Sequence, residues 1–418
     1  VWHPYSPPDI EHIDTVVRAQ GSLLYLEDGK KVIDAIGSWW TSLFGHCYPP
    51  LVKALSEQAH TLDHVLFADV QHHPAITLAN KLLSLLGDGK IIFSDNGSTA
   101  VETALKLSIQ WQKISGHHQR TQFAAFVEGY HGDTIGAMSL QGDQSPFCRP
   151  YGPLLRPIIQ IPFVDTWEHD SSIEEREEAA LNAIDCLLER HGKTIASFIF
   201  EPLIQGTAGM KMCRQRYLKA VCQKMQERGI LLIADEVMTG LGRTGSFLGS
   251  EKAGVHPDLI CLSKSLAGGM LPLAVTFVKD AIVQDFVGAG EHGILFHGHT
   301  FAANPIACRV AEETIDILCN NQHLFSKFQE RYTPYLKIAR KLPLLQRARA
   351  LGVVFAVDIA VKSQYGSPFS KQLRKTFWDQ GVLARPLGST VYFLPAYTIS
   401  DDELECVFAT LWKIVEEL

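Results

Sequence analysis

Short apolar runs separated by amphipathic stretches organise the middle of the chain. Ile91-Ile92-Phe93, Phe123 to Val127, Ser197 to Phe200, Ile230 to Ala234 and Leu259 to Leu262 are rich in β-branched and aromatic residues and too short for helices, so they read as buried strands. Between several of them the apolar positions recur every three to four residues, notably over Thr99 to Lys113 and Arg214 to Glu227, which predicts helices. Alternation of this kind is the α/β signature: a mostly parallel sheet whose ligands sit at the carboxyl ends of its strands.

From about Asn304 the pattern changes to long helices, then to strands near Val353 to Val357, Val382 to Ala384 and Val391 to Leu394, and ends in a helix from Asp401 to Glu417. Near the start, Leu23 to Leu26 runs into Asp28-Gly29, a hairpin signal. The expected organisation is a large domain over residues 50–310, with residues 1–49 and 311–418 forming a smaller α+β domain from both termini. His169 to Ala180 is strongly charged and predicts a solvated loop and helix start.

Composition narrows the function. The 418 residues are 46% hydrophobic and 20% charged, enough for a sizeable core and against disorder. A net charge of −7 without a basic run argues against nucleic acid or an acidic membrane as the main partner. Nine scattered cysteines without C-x-x-C spacing read as reduced thiols of a cytoplasmic protein rather than a disulfide framework or zinc ribbon. Val1-Trp2-His3-Pro4-Tyr5 shows no secretory pattern, and no apolar stretch approaches a membrane span. Small-molecule chemistry is the remaining expectation.

Three features supply it. Lys264 follows a strand and precedes Gly268-Gly269, a small-residue setting where a bulky group can approach an amine. Asp235 ends a buried strand 29 residues before it, at the upper edge of the sheet. Gly97-Ser98, after one strand and at the start of a helix, offers unpaired N–H groups and a helix dipole to an anion. An amine for an aldehyde, a carboxylate for a ring nitrogen and a cradle for a phosphate are the requirements of pyridoxal 5'-phosphate. Tyr130, in Tyr130-His131-Gly132-Asp133, stands where a ring could stack on it.

Each feature has a plainer alternative: a surface cation, a loop cap, an ordinary capped helix start, a core tyrosine. Gly240-Leu241-Gly242-Arg243-Thr244-Gly245 matches the dinucleotide fingerprint G-x-G-x-x-G but opens no helix directly after a strand, so a flexible glycine-rich loop presenting Arg243 is the better account. Arg243 and Arg385 are candidate carboxylate clamps or structural ion pairs. His297-Gly298-His299, His72-His73 and His117-His118 lack further ligands at zinc spacing, so no metal is expected.

Over nearly its whole length the chain resembles the class III pyridoxal phosphate aminotransferases. The resemblance rests on Asp235-Glu236-Val237-Met238-Thr239-Gly240-Leu241-Gly242-Arg243-Thr244-Gly245, Leu262-Ser263-Lys264-Ser265-Leu266, Glu201-Pro202-Leu203-Ile204-Gln205-Gly206 and Asn96-Gly97-Ser98. It implies a fold-type I transferase, with a mostly parallel seven-stranded sheet in the large domain. Within the family the chain is most similar to members that aminate 8-amino-7-oxononanoate with S-adenosylmethionine, giving 7,8-diaminononanoate for biotin. Trp2-His3-Pro4-Tyr5, Ser38-Trp39-Trp40 after Asp34, Gly129 to Asp133, and Arg385-Pro386-Leu387-Gly388 leading to Tyr392 carry that likeness.

The resemblance implies a Schiff base at Lys264, Asp235 on the pyridine nitrogen, Tyr130 on the ring and Gly97-Ser98 at the phosphate. It also implies a homodimer in which Thr300 reaches the phosphate of the other subunit. Tyr5, Trp39, Arg385 and Tyr392 would line the substrate channel, with Arg385 near the substrate carboxylate and Arg243 contributing to substrate binding. His299 stands where many S-adenosylmethionine users have Pro, and lysine-using relatives can carry His there, so the donor stays open between those two.

Overall fold

A computed structural model of the chain describes residues 1–9, 13–142 and 145–418. Its centre is a seven-stranded sheet, in the spatial order Gly89–Ser94, Ala274–Lys279, Leu259–Leu262, Leu231–Asp235, Ile195–Phe200, Gln122–Phe126, Ile159–Ile161. The pairings from Leu259–Leu262 to Ile159–Ile161 are parallel, while Ala274–Lys279 runs antiparallel to both neighbours. Each strand expected in this region is present within about two residues. Ala274–Lys279 is an addition, since nothing within such a run reveals that it returns between two distant strands.

Helices bury these strands on both faces, which explains their lack of polar alternation. Ile195–Phe200 and Leu231–Asp235 are buried throughout. The helix Gly97–Ile114 turns Ala100, Val101, Ala104, Leu105 and Leu107 toward the sheet. Asn96 starts it with a capping box: its side chain accepts the Thr99 N–H at 3.0 Å, and Thr99 Oγ1 accepts the Asn96 N–H at 3.3 Å. Burying a large apolar side chain contributes about 1.5–3 kcal/mol, so this face fixes the helix far more firmly than its cap does.

The chain ends meet beside this layer. Val16–Gln20, Leu23–Leu26 and Lys31–Asp34 form an antiparallel sheet, to which Val382–Leu383 adds in parallel. Leu345–Leu351, Val354–Ile359 and Thr390–Phe393 form a second small sheet, covered by an aromatic group that includes Phe355, Phe393 and Phe408. The helix Pro305–Asn320 runs through residue 310. The charged segment begins the helix Ile173–His191, where Glu177 is buried against Arg214. No helix among the described residues is long and apolar enough to cross a membrane.

Candidate active site

The carboxyl ends of the central strands open into a cavity of about 730 Å³. Asp235, Lys264, Tyr130, Gly97 and Ser98 all line it. Asp235 arrives at the end of its strand, 4% exposed, and Lys264 follows the end of the adjacent one. Lys264 adopts φ of +43°, a left-handed conformation that L-residues keep only where surrounding packing enforces it. Its Nζ lies 4.6 Å from the centre of the Trp40 ring. Burial draws the lysine pKa below its ordinary value, and Arg243 pulls the same way; the Asp235 and Glu201 carboxylates oppose.

His131 Nδ1 is 2.7 Å from Asp235 Oδ2, and the Val237 N–H donates to Asp235 Oδ1 at 3.1 Å. The carboxylate is thereby aimed rather than free to rotate. His131 was visible in sequence only as the neighbour of Tyr130; its partner lies 104 positions away. Glu201, also buried, accepts the Tyr130 N–H at 3.0 Å and the Gly206 N–H at 2.9 Å.

Burial pushes the Glu201 carboxyl up to about 7; His131 opposes this and Asp235 adds to it. A carboxyl raised by folding contributes stability fully below its unfolded value, and that contribution is lost as pH rises through the folded value. Glu201→Gln is therefore expected to gain melting temperature relative to the parent as pH rises from about 5 to about 8. A Tm difference that does not change with pH contradicts the shift.

The loops at the expected phosphate site leave room for an anion. The N–H groups of Gly97 and Ser98 find no acceptor among the described residues. A Cβ on Gly97 would lie 2.6 Å from Val237 Cγ1, and one on Gly132 would lie 2.3 Å from Ser98 Oγ, so only glycine lets these loops close around an anion. Amine, aimed carboxylate and cradle share one cavity, which fits the chemistry of pyridoxal phosphate.

A second, largely apolar space of about 340 Å³ adjoins the first, and Lys264, Tyr130 and Trp40 line both. Tyr5, Trp39, Arg385 and Tyr392 line it, together with Phe147 and Tyr365, loop aromatics that carry no sequence signal. The Arg385 guanidinium lies 4.7 Å from the Trp39 ring centre and donates to Tyr365 Oη at 2.7 Å. Tyr5 Oη reaches Asp133 and lies 3.4 Å from Tyr130 Oη. Burial raises both tyrosines, Tyr5 to about 12, so they stay protonated donors at neutral pH.

Two further expected residues line neither space. Arg243 lies in a turn between strand and helix: it is 0% exposed, and its guanidinium donates to the carbonyls of Trp40 at 3.1 Å and Ser42 at 3.3 Å and to Ser265 Oγ at 3.1 Å. In this structure its guanidinium is held by backbone carbonyls and by Ser265 rather than facing the channel. Thr300 is exposed and lines neither space of its own chain.

The indole walls come from an unusual turn. Gly37, Ser38, Trp39 and Trp40 have φ of +54°, +44°, +68° and +72°, a left-handed helical turn closed by Trp40 N–H to Ile36 O and Thr41 N–H to Gly37 O, each 2.9 Å. Such a conformation costs about 1–2 kcal/mol at each non-glycine residue. Asp34 holds it, with Oδ1 accepting the Ile36 N–H at 3.2 Å and Oδ2 accepting from Ser38 Oγ and His46 Nε2, both at 2.8 Å. Burial alone would raise the Asp34 pKa, but the bonds from His46 and Ser38 outweigh it and hold the carboxyl below its ordinary value.

Known proteins are similar to this chain over its whole length. The family described as aminotransferase class III matches residues 5–415. An adenosylmethionine-8-amino-7-oxononanoate aminotransferase from Synechococcus elongatus is 38% identical, covering 100% of this chain and 99% of the relative. One of the same name from Helicobacter pylori is 34% identical, covering 100% and 96%. Among solved structures, the Methanocaldococcus jannaschii protein of that name superposes with a TM-score of 0.89 at 29% identity, covering 100% of this chain and 97% of the other. An amine transaminase from an uncultivated Pseudomonas species, solved in its PLP-bound form, reaches 0.93 at 26% identity, covering 100% and 98%. A match that spans the paired lysine and aspartate, the cradle and both ends of the sequence leaves one assignment: this chain belongs to the class III aminotransferases.

Proposed function

We propose that the chain uses pyridoxal 5'-phosphate to transfer the amino group of S-adenosylmethionine to 8-amino-7-oxononanoate, giving 7,8-diaminononanoate for biotin. The observation that carries this is a single lysine lining two adjoining spaces, one fitted to the cofactor and the other walled by aromatic residues and Arg385. The names of the relatives at 38% and 34% identity support the choice of substrates.

When bound, pyridoxal phosphate supplies an electrophilic carbon for amines and an electron-withdrawing ring. Lys264 Nζ is the group that would hold it and then, as free base, carry a proton to and from the substrate carbon bearing nitrogen. Its lowered pKa suits that task. Asp235, aimed by His131, would keep the ring nitrogen protonated, with Gly97 and Ser98 on the phosphate and Tyr130 against the ring.

Donor and acceptor take turns in one channel. Tyr5, Trp39 and Tyr392 offer flat faces to an alkyl chain, and an aromatic face attracts a sulfonium by about 0.5–2 kcal/mol. Arg385 is the charged group suited to a carboxylate there. Trp39→Ala is expected to raise the KM of the keto acid by about tenfold or more while cofactor affinity changes little. Equal loss of both, or no loss, removes Trp39 from the channel.

The proposal includes a homodimer in which Thr300 serves the partner's site. The exposed Ile294, Phe296 and Phe301 flank Thr300, an apolar surface suited to a second copy.

The decisive experiment follows the absorbance of the bound cofactor during separate additions of S-adenosylmethionine and lysine, and then of 8-amino-7-oxononanoate. Bleaching by S-adenosylmethionine and recovery with the keto acid is the expected result. Bleaching by lysine alone reassigns the donor, and a response only to other amines overturns the substrate assignment.

A further inference from the structure

The left-handed turn that carries Trp39 and Trp40 is held from two sides by groups outside the catalytic set. On one side is the Asp34 carboxylate, 2% exposed, bonded to the Ile36 N–H, Ser38 Oγ and His46 Nε2. His46 is itself fixed, because its backbone exchanges hydrogen bonds with Gly21 at 2.7 and 3.0 Å. On the other side, Arg243 and Ser265 grip the Trp40 carbonyl at 3.1 and 3.3 Å. Ser265 follows Lys264, so the turn is registered directly against the reactive amine.

Three residues without glycine's freedom hold positive φ here, so the turn needs outside bonds to persist. What it positions is specific. Trp39 faces Tyr5 at 5.6 Å and Arg385 at 4.7 Å; Trp40 lies under Lys264 Nζ and donates from Nε1 to Tyr392 Oη at 3.0 Å. Relaxation of the turn to right-handed backbone would re-aim both indoles and dismantle one wall of the channel.

We propose that Asp34 and His46 are positioning residues for the reaction: by holding Gly37–Trp40 in the left-handed form they set the channel wall that selects the acceptor. This rests on the transamination of 8-amino-7-oxononanoate proposed above. Neither residue lines the cofactor space or the channel, so their effect passes through the indoles.

The test is a double-mutant cycle on the cofactor-loaded enzyme. His46→Ala is expected to raise the acceptor KM about tenfold with kcat within about threefold, and His46→Gln, whose amide can still donate to Asp34, to restore most of it. In a Trp39→Ala background, His46→Ala should raise the KM by clearly less than it does in the parent, the remainder passing through Trp40. The near-ultraviolet circular dichroism of the tryptophans should change in His46→Ala and recover in His46→Gln.

Ser38→Ala removes one hydrogen bond at a part-exposed site and gives a milder version of the same KM effect should His46→Ala fold poorly. A lowered Tm with parental KM and dichroism, or effects of His46→Ala and Trp39→Ala that simply multiply, overturns the proposal. If the parent enzyme does not turn over 8-amino-7-oxononanoate, the function assigned above fails on its own. The positioning role is then decided by the dichroism and by the KM of the acceptor that the parent does use.

Discussion

Lys264→Ala is expected to lower the rate of transamination by about 10³-fold or more, the largest loss of any single substitution in this chain. In the proposed reaction the amine would have two tasks that no neighbour duplicates, holding the cofactor and moving the proton. Lys252, the next lysine toward the N-terminus, lies outside both spaces. The variant should still fold, because the lysine makes no hydrogen bond among the described residues and its removal relieves a buried amine. Borohydride treatment separates this from a general loss of structure: the parent should retain the cofactor covalently at Lys264, and the variant should retain none. Activity within about tenfold of the parent would remove Lys264 from the mechanism.

Asp235→Asn should follow closely, with a fall of about 10²–10⁴-fold in turnover. Asparagine keeps the shape and can still meet His131, but loses the charge that favours a protonated ring nitrogen. Measured by absorbance titration, cofactor affinity should fall less than turnover does, since the phosphate cradle at Gly97 and Ser98 is untouched. The outcome that contradicts the assignment is a large loss of affinity with normal turnover in the loaded fraction, which would make Asp235 an anchor only.

Legibility from sequence differed with the range of the interactions involved. The strands around Lys264 and Asp235 and the start of the helix Gly97–Ile114 were readable because burial period and Asn96 capping are local signals. The surroundings of Arg243 were not readable because they come from afar: the carbonyls that hold it belong to Trp40 and Ser42, some 200 positions earlier. The bond between His131 and Asp235 is hidden for the same reason. The turn at Ser38-Trp39-Trp40 runs against backbone preference altogether, so no propensity argument could have found it.

The pairing of Ile33 with Val382 joins residues about 350 positions apart. At a synthesis rate of about 5–20 residues per second, the earliest strands wait roughly 20–70 s for their last partner to emerge. During that interval Trp39, Trp40 and the exposed edge of Lys31–Asp34 lie open to the wrong neighbours. Shielding the nascent N-terminal strands, by slower growth or added chaperone, is therefore expected to raise the soluble yield of this enzyme in a foreign host.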